Sequence, residues 1–394
     1  MRGGLISILQ FSNSGVRGGL EEHILMLLRG FDRRRFRLHY ACPPELVGKI
    51  RADVPSDVEL IPLYLEWPTQ LAAVVRFLRI LRSRRIDILH SHGFAASQLA
   101  SPLGWLCRVP LIVESAHGRE AWRTGWKAKC YVDRLVGPLV DRYIAVSQAN
   151  ADYLKNTKRY PARKISVIHP GSDLTRFAHP HHPPANFKES MGFGPDDPLM
   201  LVVGRLEVQK GHEVLLRAMP EIRRRYPRVR LVCVGEGSLR SRLESQAQSL
   251  GIQDSVRFVG YWPDIRDWLA VADLSVLPSF HEGMPVTPVE SLAAGCPVVA
   301  TAVDGTPEVV VHEKTGLTVP PGNARALAEA VCHLLDSPDL RGQLASKGHE
   351  WVLGRFSSSR MVERIQDLYL EASPALRPKL AGVRMPELRE TGSK

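Results

Sequence analysis

The stretch LSVLPSFHEGMPVTPVESLAAGCPVVAT, residues 274–301, contains the pattern that decides the fold. Its first run, LSVLPS at 274–279, is short and apolar and is typical of a buried strand. Apolar residues then recur at helical spacing over 286–293, and Pro285 and Pro288 suit only the entry and first turn of a helix. PVVAT, at 297–301, is a second strand-like run. Strand, helix and strand in this order predict a parallel, doubly wound α/β sheet.

The same alternation of strands and helices fills the rest of the chain. It runs from LISILQF near the N-terminus to RYIAVS at 142–147, and it restarts with LMLVVGR at 199–205. The segment between them, HPHHPPANF, is too rich in proline for regular structure. We therefore predict two Rossmann-like domains. The expected boundaries are an N-terminal domain at 1–178, a linker at 179–198, a C-terminal domain at 199–355, a terminal helix at 356–372 and a mobile tail at 373–394.

The composition of the 394 residues is that of an ordinary globular protein, with 44% hydrophobic and 24% charged residues. No apolar run approaches the ~20 residues that a membrane-spanning helix requires. The six cysteines form no C-x-x-C pair, so neither a disulfide framework nor a zinc site is expected. These features predict a cytoplasmic or membrane-peripheral protein.

Positive charge is concentrated in the first half of the chain. Residues 1–180 carry 27 Lys and Arg against 15 Asp and Glu, whereas residues 181–394 carry 25 against 26. The densest patches are RRFRLHY at 34–40 and LRILRSRRID at 78–87. Such a distribution favours an anionic partner, which could be a nucleic acid, an acidic lipid surface or a phosphorylated acceptor, although each patch could also be a solvated face.

Chemically suggestive residues follow the predicted strands, at the edge where open α/β sheets bind ligands. Glycine-rich SGVRGG, at 14–19, opens a helix and could cradle a phosphate. Arg205 and Lys210 could flank a diphosphate. Glu282 and Glu290 lie on either side of a helix start, which attracts anions, so phosphate is a more natural ligand there than a bare sugar.

Several separate motifs resemble the retaining glycosyltransferases of family 4, which have the GT-B fold, and the resemblance covers nearly the whole chain. The most specific is FHEGMPVTPVESLAAGCPVVAT, which is similar to the E-x7-E segment of that family. VVGRLEVQKGHEVLLRA resembles its phosphate-binding segment, and SGVRGGLEEHIL resembles its N-terminal glycine loop. The resemblance implies two domains that face each other across a cleft, with the C-terminal helix returning to the N-terminal domain.

The resemblance also implies a role for individual residues. Arg205 and Lys210 would hold the donor diphosphate and stabilise its charge, Glu282 would contact the transferred sugar, and Glu290 would bind the ribose. His117 matches the sugar-facing histidine of the family. The other donor-binding residues would act largely through their backbone; they are Gly18, Gly19, Gly204, Tyr261, Gly283, Met284, Pro285 and Val286.

The implied substrate is a nucleotide-diphosphate sugar, with UDP the first choice of carrier and GDP the second. No cofactor or metal is expected, because the chain contains no D-x-D triplet and Arg and Lys would replace the cation. The acceptor would be a saccharide or a lipid-linked molecule in surface polysaccharide or glycolipid synthesis. A retaining, metal-independent hexosyltransferase is therefore the main hypothesis.

Four other functions fit parts of the sequence. A GT-B-like sugar-nucleotide epimerase or a non-catalytic nucleotide-sugar binding protein would bind the same donor. A dinucleotide-dependent oxidoreductase requires G-x-G-x-x-G, and the glycines of SGVRGG have a different spacing. A nucleic-acid-binding role is suggested only by the net charge of +11, without a recognised motif, so no nucleic-acid partner is expected.

The segment that follows His117 mixes aromatic and basic residues. Trp122, Trp126 and Tyr131 lie among five cations, which are Arg119, Arg123, Lys127, Lys129 and Arg134. This combination suits an anionic membrane surface on the inner face of the cell membrane, although the aromatic residues could equally belong to the core.

Overall fold

The structure is a computed structural model that describes residues 4–66, 69–119, 126–177 and 179–380. It divides into two compact units. The first unit comprises the chain up to Val146, the segment Ala151–Ile168 and the residues from Met361 onward; the second comprises Ser147–Asn150 and His169–Arg360.

The first unit contains a seven-stranded parallel sheet in the order β3-β2-β1-β4-β5-β6-β7. Its strands are β1 (Ile6–Phe11), β2 (Phe36–Cys42), β3 (Glu59–Pro62), β4 (Ile88–His92), β5 (Leu111–Ala116), β6 (Arg142–Ala145) and β7 (Ile165–Val167). The helices up to this point are α1 (Gly19–Gly30), α2 (Pro44–Ile50), α3 (Leu71–Ser83), α4 (Phe94–Leu106), α5 (Trp126–Val136) and α6 (Gln148–Asn156).

The second unit contains a six-stranded parallel sheet in the order β10-β9-β8-β11-β12-β13. Its strands are β8 (Leu199–Val203), β9 (Arg230–Val234), β10 (Val256–Gly260), β11 (Leu274–Leu277), β12 (Val298–Thr301) and β13 (Leu317–Val319). The helices are α7 (Phe187–Ser190), α8 (His212–Arg225), α9 (Arg240–Ser249), α10 (Arg266–Val271), α11 (Val286–Ala293), α12 (Thr306–Val309), α13 (Ala324–Asp336), α14 (Pro338–Leu353) and α15 (Ser358–Ala372).

Helices bury both faces of the central strands, which explains why several of these strands are continuous apolar runs rather than alternating ones. All six residues of β1 are buried, and so are all four of β11 and of β12. Helix α15 belongs to the first unit from Met361 onward, where its apolar face enters the core beside β1 and α1. The chain therefore returns to its first unit after completing the second.

The predicted linker, residues 179–198, is part of the second unit instead of a separate connection. Phe187 and Phe193 are buried against Trp268, with ring centroids 4.8 and 6.5 Å from the indole. The prediction failed because the proline density of the segment concealed two buried aromatic anchors. The second unit also begins earlier than predicted, at His169, since the amide of Ser172 donates to the carbonyl of Phe356 at 2.8 Å.

Two further expectations differ from the structure. The sequence from about 121 to 141 predicts one long helix, whereas in the described residues α5 ends at Val136 and is followed by a 3-10 turn at Gly137–Leu139. A mobile tail is expected from Ser373 onward, but Pro374–Leu380 form a 3-10 helix. This helix is held in place because Leu376 is buried and Lys379 Nζ donates to Asp87 Oδ1 at 2.5 Å. Residues 381–394 of that tail lie outside the described residues.

Candidate functional site

The carboxylate of Glu282 is held firmly in the turn between β11 and α11. Only 7% of the residue is exposed. Its Oε1 accepts hydrogen bonds from Lys210 Nζ at 2.6 Å and from Ser279 Oγ at 2.7 Å. Its backbone amide donates to Asp304 Oδ2 at 2.9 Å. These three contacts fix both the backbone and the side chain of Glu282 at the carboxyl end of the sheet.

Lys210 reaches Glu282 from the turn between β8 and α8. The turn is a 3-10 segment, Val208–Lys210, and it ends at Gly211, whose φ of +67° is the left-handed conformation that favours glycine. The aliphatic stem of Lys210 passes over Gly204, where a Cβ would lie 3.6 Å from Lys210 Cδ. An ammonium has three N–H donors, so the bond to Glu282 leaves two for a ligand.

Arg205 follows β8 directly and is exposed. Within the described residues its guanidinium has no ion pair or side-chain hydrogen bond. The nearby carboxylate of Glu207 is occupied by Ser238, whose amide and hydroxyl each donate to it at 3.0 Å. These bonds lower the pKa of Glu207, and the positive charge of Arg205 lowers it further. Arg205 therefore remains available to an anionic ligand.

The first turn of α11 lies immediately beyond Glu282. Pro285 is the N-cap residue, and Met284 before it is buried. Gly283 is closely packed, since a Cβ on Gly305 would stand 2.4 Å from its carbonyl oxygen. The first amides of a helix have no partner within the helix, so those that begin at Val286 form an anion-attracting end beside Glu282.

Glu290 and Tyr261 are not part of the Lys210–Glu282 pair. Glu290 is half-buried in α11, where its Oε1 accepts a hydrogen bond from Ser172 Oγ at 3.1 Å. Tyr261 follows β10 and is 74% exposed. Strand β9 separates β10 from β8, whereas β8 and β11 are neighbours. Of the predicted second-unit residues, the structure thus brings Lys210 and Glu282 into direct contact and places the stem of Lys210 over Gly204.

The glycine loop of the first unit begins α1. Gly18 is the N-cap residue, and its amide donates to Glu21 Oε2 at 2.9 Å. Burial raises the pKa of the Glu21 carboxyl. Gly19 is exposed, and a Cβ added there would meet nothing within 4 Å. The loop cation Arg17 is engaged by Glu22 at 2.6 Å and Asp53 at 2.7 Å, so the open surface of the loop is backbone.

His117 follows β5 and belongs to a cluster of histidines. Its Nε2 lies 3.2 Å from His92 Nδ1, and its ring packs edge-on against His23 with centroids 4.9 Å apart. Burial lowers the pKa of His117 to about 4, so the imidazole is neutral at pH 7. His92 and His23 are buried, and burial also lowers both of their pKa values.

Hydrogen bonds connect this cluster with α15. His92 Nε2 lies 2.7 Å from Gln10 Oε1, and Gln10 Nε2 donates to the hydroxyl of Tyr369 at 3.4 Å. The same hydroxyl is 2.6 Å from His90 Nδ1, while His90 Nε2 is 2.8 Å from Ser115 Oγ. Because Gln10 presents its carbonyl oxygen, His92 must carry its proton on Nε2, which leaves a lone pair on Nδ1.

Several residues of these two sites are absent from the sequence predictions. Ser279 and Asp304 bond to Glu282. The only feature of the sequence that could have indicated them is their position after buried strands. His92 and His90 have a clearer signal, because the alternation in LHSH places both on one face of a buried strand. The sequence does not indicate His23, because a single histidine in an amphipathic helix is indistinguishable from an ordinary polar residue.

The aromatic and basic segment after His117 lies only partly within the described residues. Trp122 and Arg123 lie outside them, as do the side chains of Trp126, Lys127 and Lys129. Tyr131 is 66% exposed, so it is not a core residue. Arg134 lies 5.4 Å from its ring centroid and donates to the carbonyl of Thr157 at 2.9 Å. None of the helices in the described residues is long and apolar enough to cross a bilayer.

Comparison with known proteins assigns both parts of the chain to glycosyltransferases. Residues 185–351 match the family model described as glycosyl transferases group 1. Residues 17–176 match the model described as glycosyltransferase family 4. The two matches cover the elements that carry the Lys210–Glu282 pair and the glycine loop.

Individual relatives and a solved structure agree with this assignment. An uncharacterized glycosyltransferase of Methanocaldococcus jannaschii is 30% identical over 78% of this chain and 81% of its own length. The GDP-mannose-dependent alpha-(1-6)-phosphatidylinositol monomannoside mannosyltransferase of Mycolicibacterium smegmatis is also 30% identical, over 74% of this chain and 78% of its own length. The crystal structure of Anabaena HepE in complex with UDP matches with a TM-score of 0.81 and 21% identity, covering 93% of this chain and all of HepE. The chain therefore belongs to the group 1, family 4 glycosyltransferases and has their GT-B fold of two Rossmann-like units.

Proposed function

We propose that the protein is a retaining glycosyltransferase that moves a hexose from a nucleotide-diphosphate sugar to a saccharide or lipid-linked acceptor. The observation that carries this proposal is the half-buried Lys210 paired with Glu282 at the ends of two adjacent strands. Arg205, two residues beyond β8, adds positive charge, and the first turn of α11 adds free amides. This combination suits a sugar diphosphate better than it suits a neutral sugar.

The proposed chemistry relies on charge stabilisation. The bond between the anomeric carbon and the diphosphate oxygen breaks, and the leaving diphosphate gains negative charge. Arg205, Lys210 and the amides of α11 stabilise that charge, which is worth about 3 kcal/mol for one preorganised donor. The acceptor oxygen bonds to the anomeric carbon on the face that the diphosphate leaves, and its proton passes to a diphosphate oxygen. The anomeric configuration is thereby retained without a metal ion.

Glu282 is proposed to bind the hydroxyls of the transferred sugar, and Glu290 those of the ribose. Because Lys210 already engages Glu282, the pair would couple recognition of the sugar to recognition of the diphosphate. The contacts proposed for Gly18, Gly19 and His117 with the donor, and for Tyr261 with the base, stay predictions. A nucleotide carrier is supported by HepE, whose crystal structure contains UDP, and by the relative named as GDP-mannose-dependent.

The proposed acceptor is a lipid-linked or saccharide molecule, and the proposed location is the cytoplasm or the inner face of the cell membrane. The relative from Mycolicibacterium smegmatis is named for a phosphatidylinositol mannoside acceptor, which supports a lipid-linked substrate. The basic character of residues 1–180 supports attraction to an acidic surface.

Thermal shifts with UDP, GDP, ADP and their sugars test this proposal. Lys210→Ala should abolish the shift caused by the nucleoside diphosphate, whereas the control Lys347→Ala, an exposed lysine of α14, should keep it. Glu282→Gln should keep the nucleoside diphosphate shift, because the freed Lys210 still binds phosphate, and lose the additional shift from the sugar.

Testing the proposed retention of anomeric configuration requires analysis of the reaction product. With the preferred donor, NMR of the transferred or hydrolysed sugar should show an unchanged anomeric configuration in the first product formed. An inverted anomeric centre would contradict retention, and inversion at C2 of the donor would indicate an epimerase. Equal shifts for wild type and Lys210→Ala would contradict the proposed donor site itself.

A further inference from the structure

We propose that His23, His92 and His117 form a binding site for a borderline divalent transition-metal ion such as Zn²⁺. Each histidine offers one ring nitrogen, and these three nitrogens lie within 4.8 Å of one another. Three imidazoles are a ligand set that zinc uses where a fourth position stays open for water or another ligand. The three histidines belong to the first unit, whereas Lys210 and Glu282 belong to the second.

The topology of the first sheet explains why the three histidines meet. Strands β1, β4 and β5 are adjacent and parallel, so their carboxyl ends lie at one edge. His92 is the last residue of β4, and His117 follows β5. His23 lies on α1, the helix that begins after β1. The convergence therefore follows from the fold.

The protonation pattern suits a metal ligand. Gln10 fixes the proton of His92 on Nε2, so Nδ1 presents a lone pair toward His117. Metal-binding histidines commonly donate their other N–H to such a carbonyl. The separation of 3.2 Å between His92 Nδ1 and His117 Nε2 is close to the spacing of about 3.3 Å expected for two nitrogens on a tetrahedral zinc. His117 needs only to carry its own proton on Nδ1.

His23 provides the independent observation. It is 3% exposed, and within the described residues neither of its ring nitrogens has a hydrogen-bond partner. An imidazole buried without partners costs free energy, because its N–H and its lone pair lose their bonds to water. The His23 ring packs edge-to-face on His117 and His92, and these contacts offset only a small part of that free-energy cost. A bound ion would satisfy the lone pair.

The ligand set also predicts which ions bind. No carboxylate belongs to the cluster in the described part of the chain. Mg²⁺ and Ca²⁺ prefer oxygen ligands, so they should not bind here, whereas Zn²⁺, Co²⁺ and Ni²⁺ accept imidazole. The low pKa values of the histidines keep their rings neutral at pH 7.

Titration of the full-length protein with Co²⁺, followed by visible absorption, tests the site without using enzyme activity. We expect one ion per chain with the intense bands of a tetrahedral site, displaced by one equivalent of Zn²⁺ and unaffected by Mg²⁺. His23→Leu should abolish these bands while its nucleoside diphosphate thermal shift confirms that it is folded. Gln10→Leu, which removes the bond to His92 but keeps all three ligands, should weaken Co²⁺ binding about 10- to 100-fold.

The matched control is His179→Ala with His182→Ala, which removes two histidines of the second unit and should leave the spectrum unchanged. Three results would overturn the proposal: wild-type protein without tetrahedral Co²⁺ bands, His23→Leu with unchanged bands, or loss of the bands in the control. If His23→Leu does not fold, unchanged affinity in Gln10→Leu would also count against it. Loss of the nucleoside diphosphate shift in wild type would concern the proposed transferase function and not this metal site.

Discussion

Gly211 shows how one backbone conformation places Lys210 beside Glu282. It separates the turn that carries Lys210 from α8, and its φ is +67°. A Cβ at this position would lie 2.0 Å from the carbonyl oxygen of Pro278, which follows β11. The turns after β8 and β11 are thus in backbone contact at Gly211. A residue with a side chain would push them apart.

Gly211→Ala is therefore expected to be far more damaging than the same change at another left-handed glycine. Gly251 is the control, because its φ is +65° but an added Cβ meets nothing within 4 Å. The control should lose roughly 1 kcal/mol of unfolding free energy from the unfavourable φ alone. Gly211→Ala should lose at least about 3 kcal/mol, because the backbone must also shift. Urea unfolding of both variants measures the difference, and equal losses would contradict the close packing.

At the same scale, the sequence predicted Lys210, Arg205 and Glu282 as separate candidates but not the ion pair between two of them. Lys210 and Glu282 are 72 residues apart, and nothing in either motif specifies the register of β8 against β11. The histidine cluster was missed for a similar reason. Motif matching singled out His117, whereas His23 and His92 become its neighbours only when three strands align.

Helix α15 packs into the core of the first unit from Met361 onward. Val362 packs so closely on α1 that a Cβ at Gly30 would lie 2.8 Å from it. Farther along α15, the hydroxyl of Tyr369 is buried between His90 and Gln10. These polar contacts are far from solvent, so their loss leaves unsatisfied groups rather than hydrated ones.

Tyr369→Phe should therefore destabilise the protein by about 1–3 kcal/mol, since it leaves His90 Nδ1 and the Gln10 amide without their partner. Tyr64→Phe is the matched control. Tyr64 is 44% exposed and its hydroxyl bonds to exposed Glu66, so its loss should cost less than about 0.5 kcal/mol. Chemical denaturation followed by tryptophan fluorescence compares the two. If Tyr64→Phe loses as much unfolding free energy as Tyr369→Phe, burial of the hydroxyl does not determine the size of the loss.

The elements predicted from sequence are those with apolar runs or helical spacing, such as β1, β11 and α11. The strands β3 and β7 were missed because they are only partly buried, so their sequences are not continuous apolar runs. Strand β13 has only three residues, which is too short a run to stand out. Helix α2, which begins at Pro44 directly after Pro43, was not predicted. In the structure they are the N-cap and first residue of that helix, where proline is tolerated.

At the scale of the whole molecule, part of the excess positive charge of residues 1–180 lies on α3. Arg76 and Arg79 are exposed on this helix beside Leu71 and Val75, which are 72% and 52% exposed. Exposed apolar residues next to cations are the combination found on helices that lie on anionic membranes. No ion pair of Arg76 or Arg79 occurs among the described residues. The composition predicted an anionic partner, but only the structure shows which arginines are exposed beside apolar groups.

We expect the protein to bind vesicles that contain phosphatidylglycerol and not vesicles of phosphatidylcholine alone, with binding that weakens as salt rises. Arg76→Glu with Arg79→Glu should weaken binding at least about tenfold, because each basic residue near an anionic surface contributes about 1 kcal/mol. Arg224→Glu with Arg325→Glu, two exposed positions of the second unit, changes the net charge equally and is the control. Vesicle co-sedimentation distinguishes a local surface from the effect of total charge: if both double variants lose binding equally, net charge alone is responsible and α3 is not the membrane-binding element.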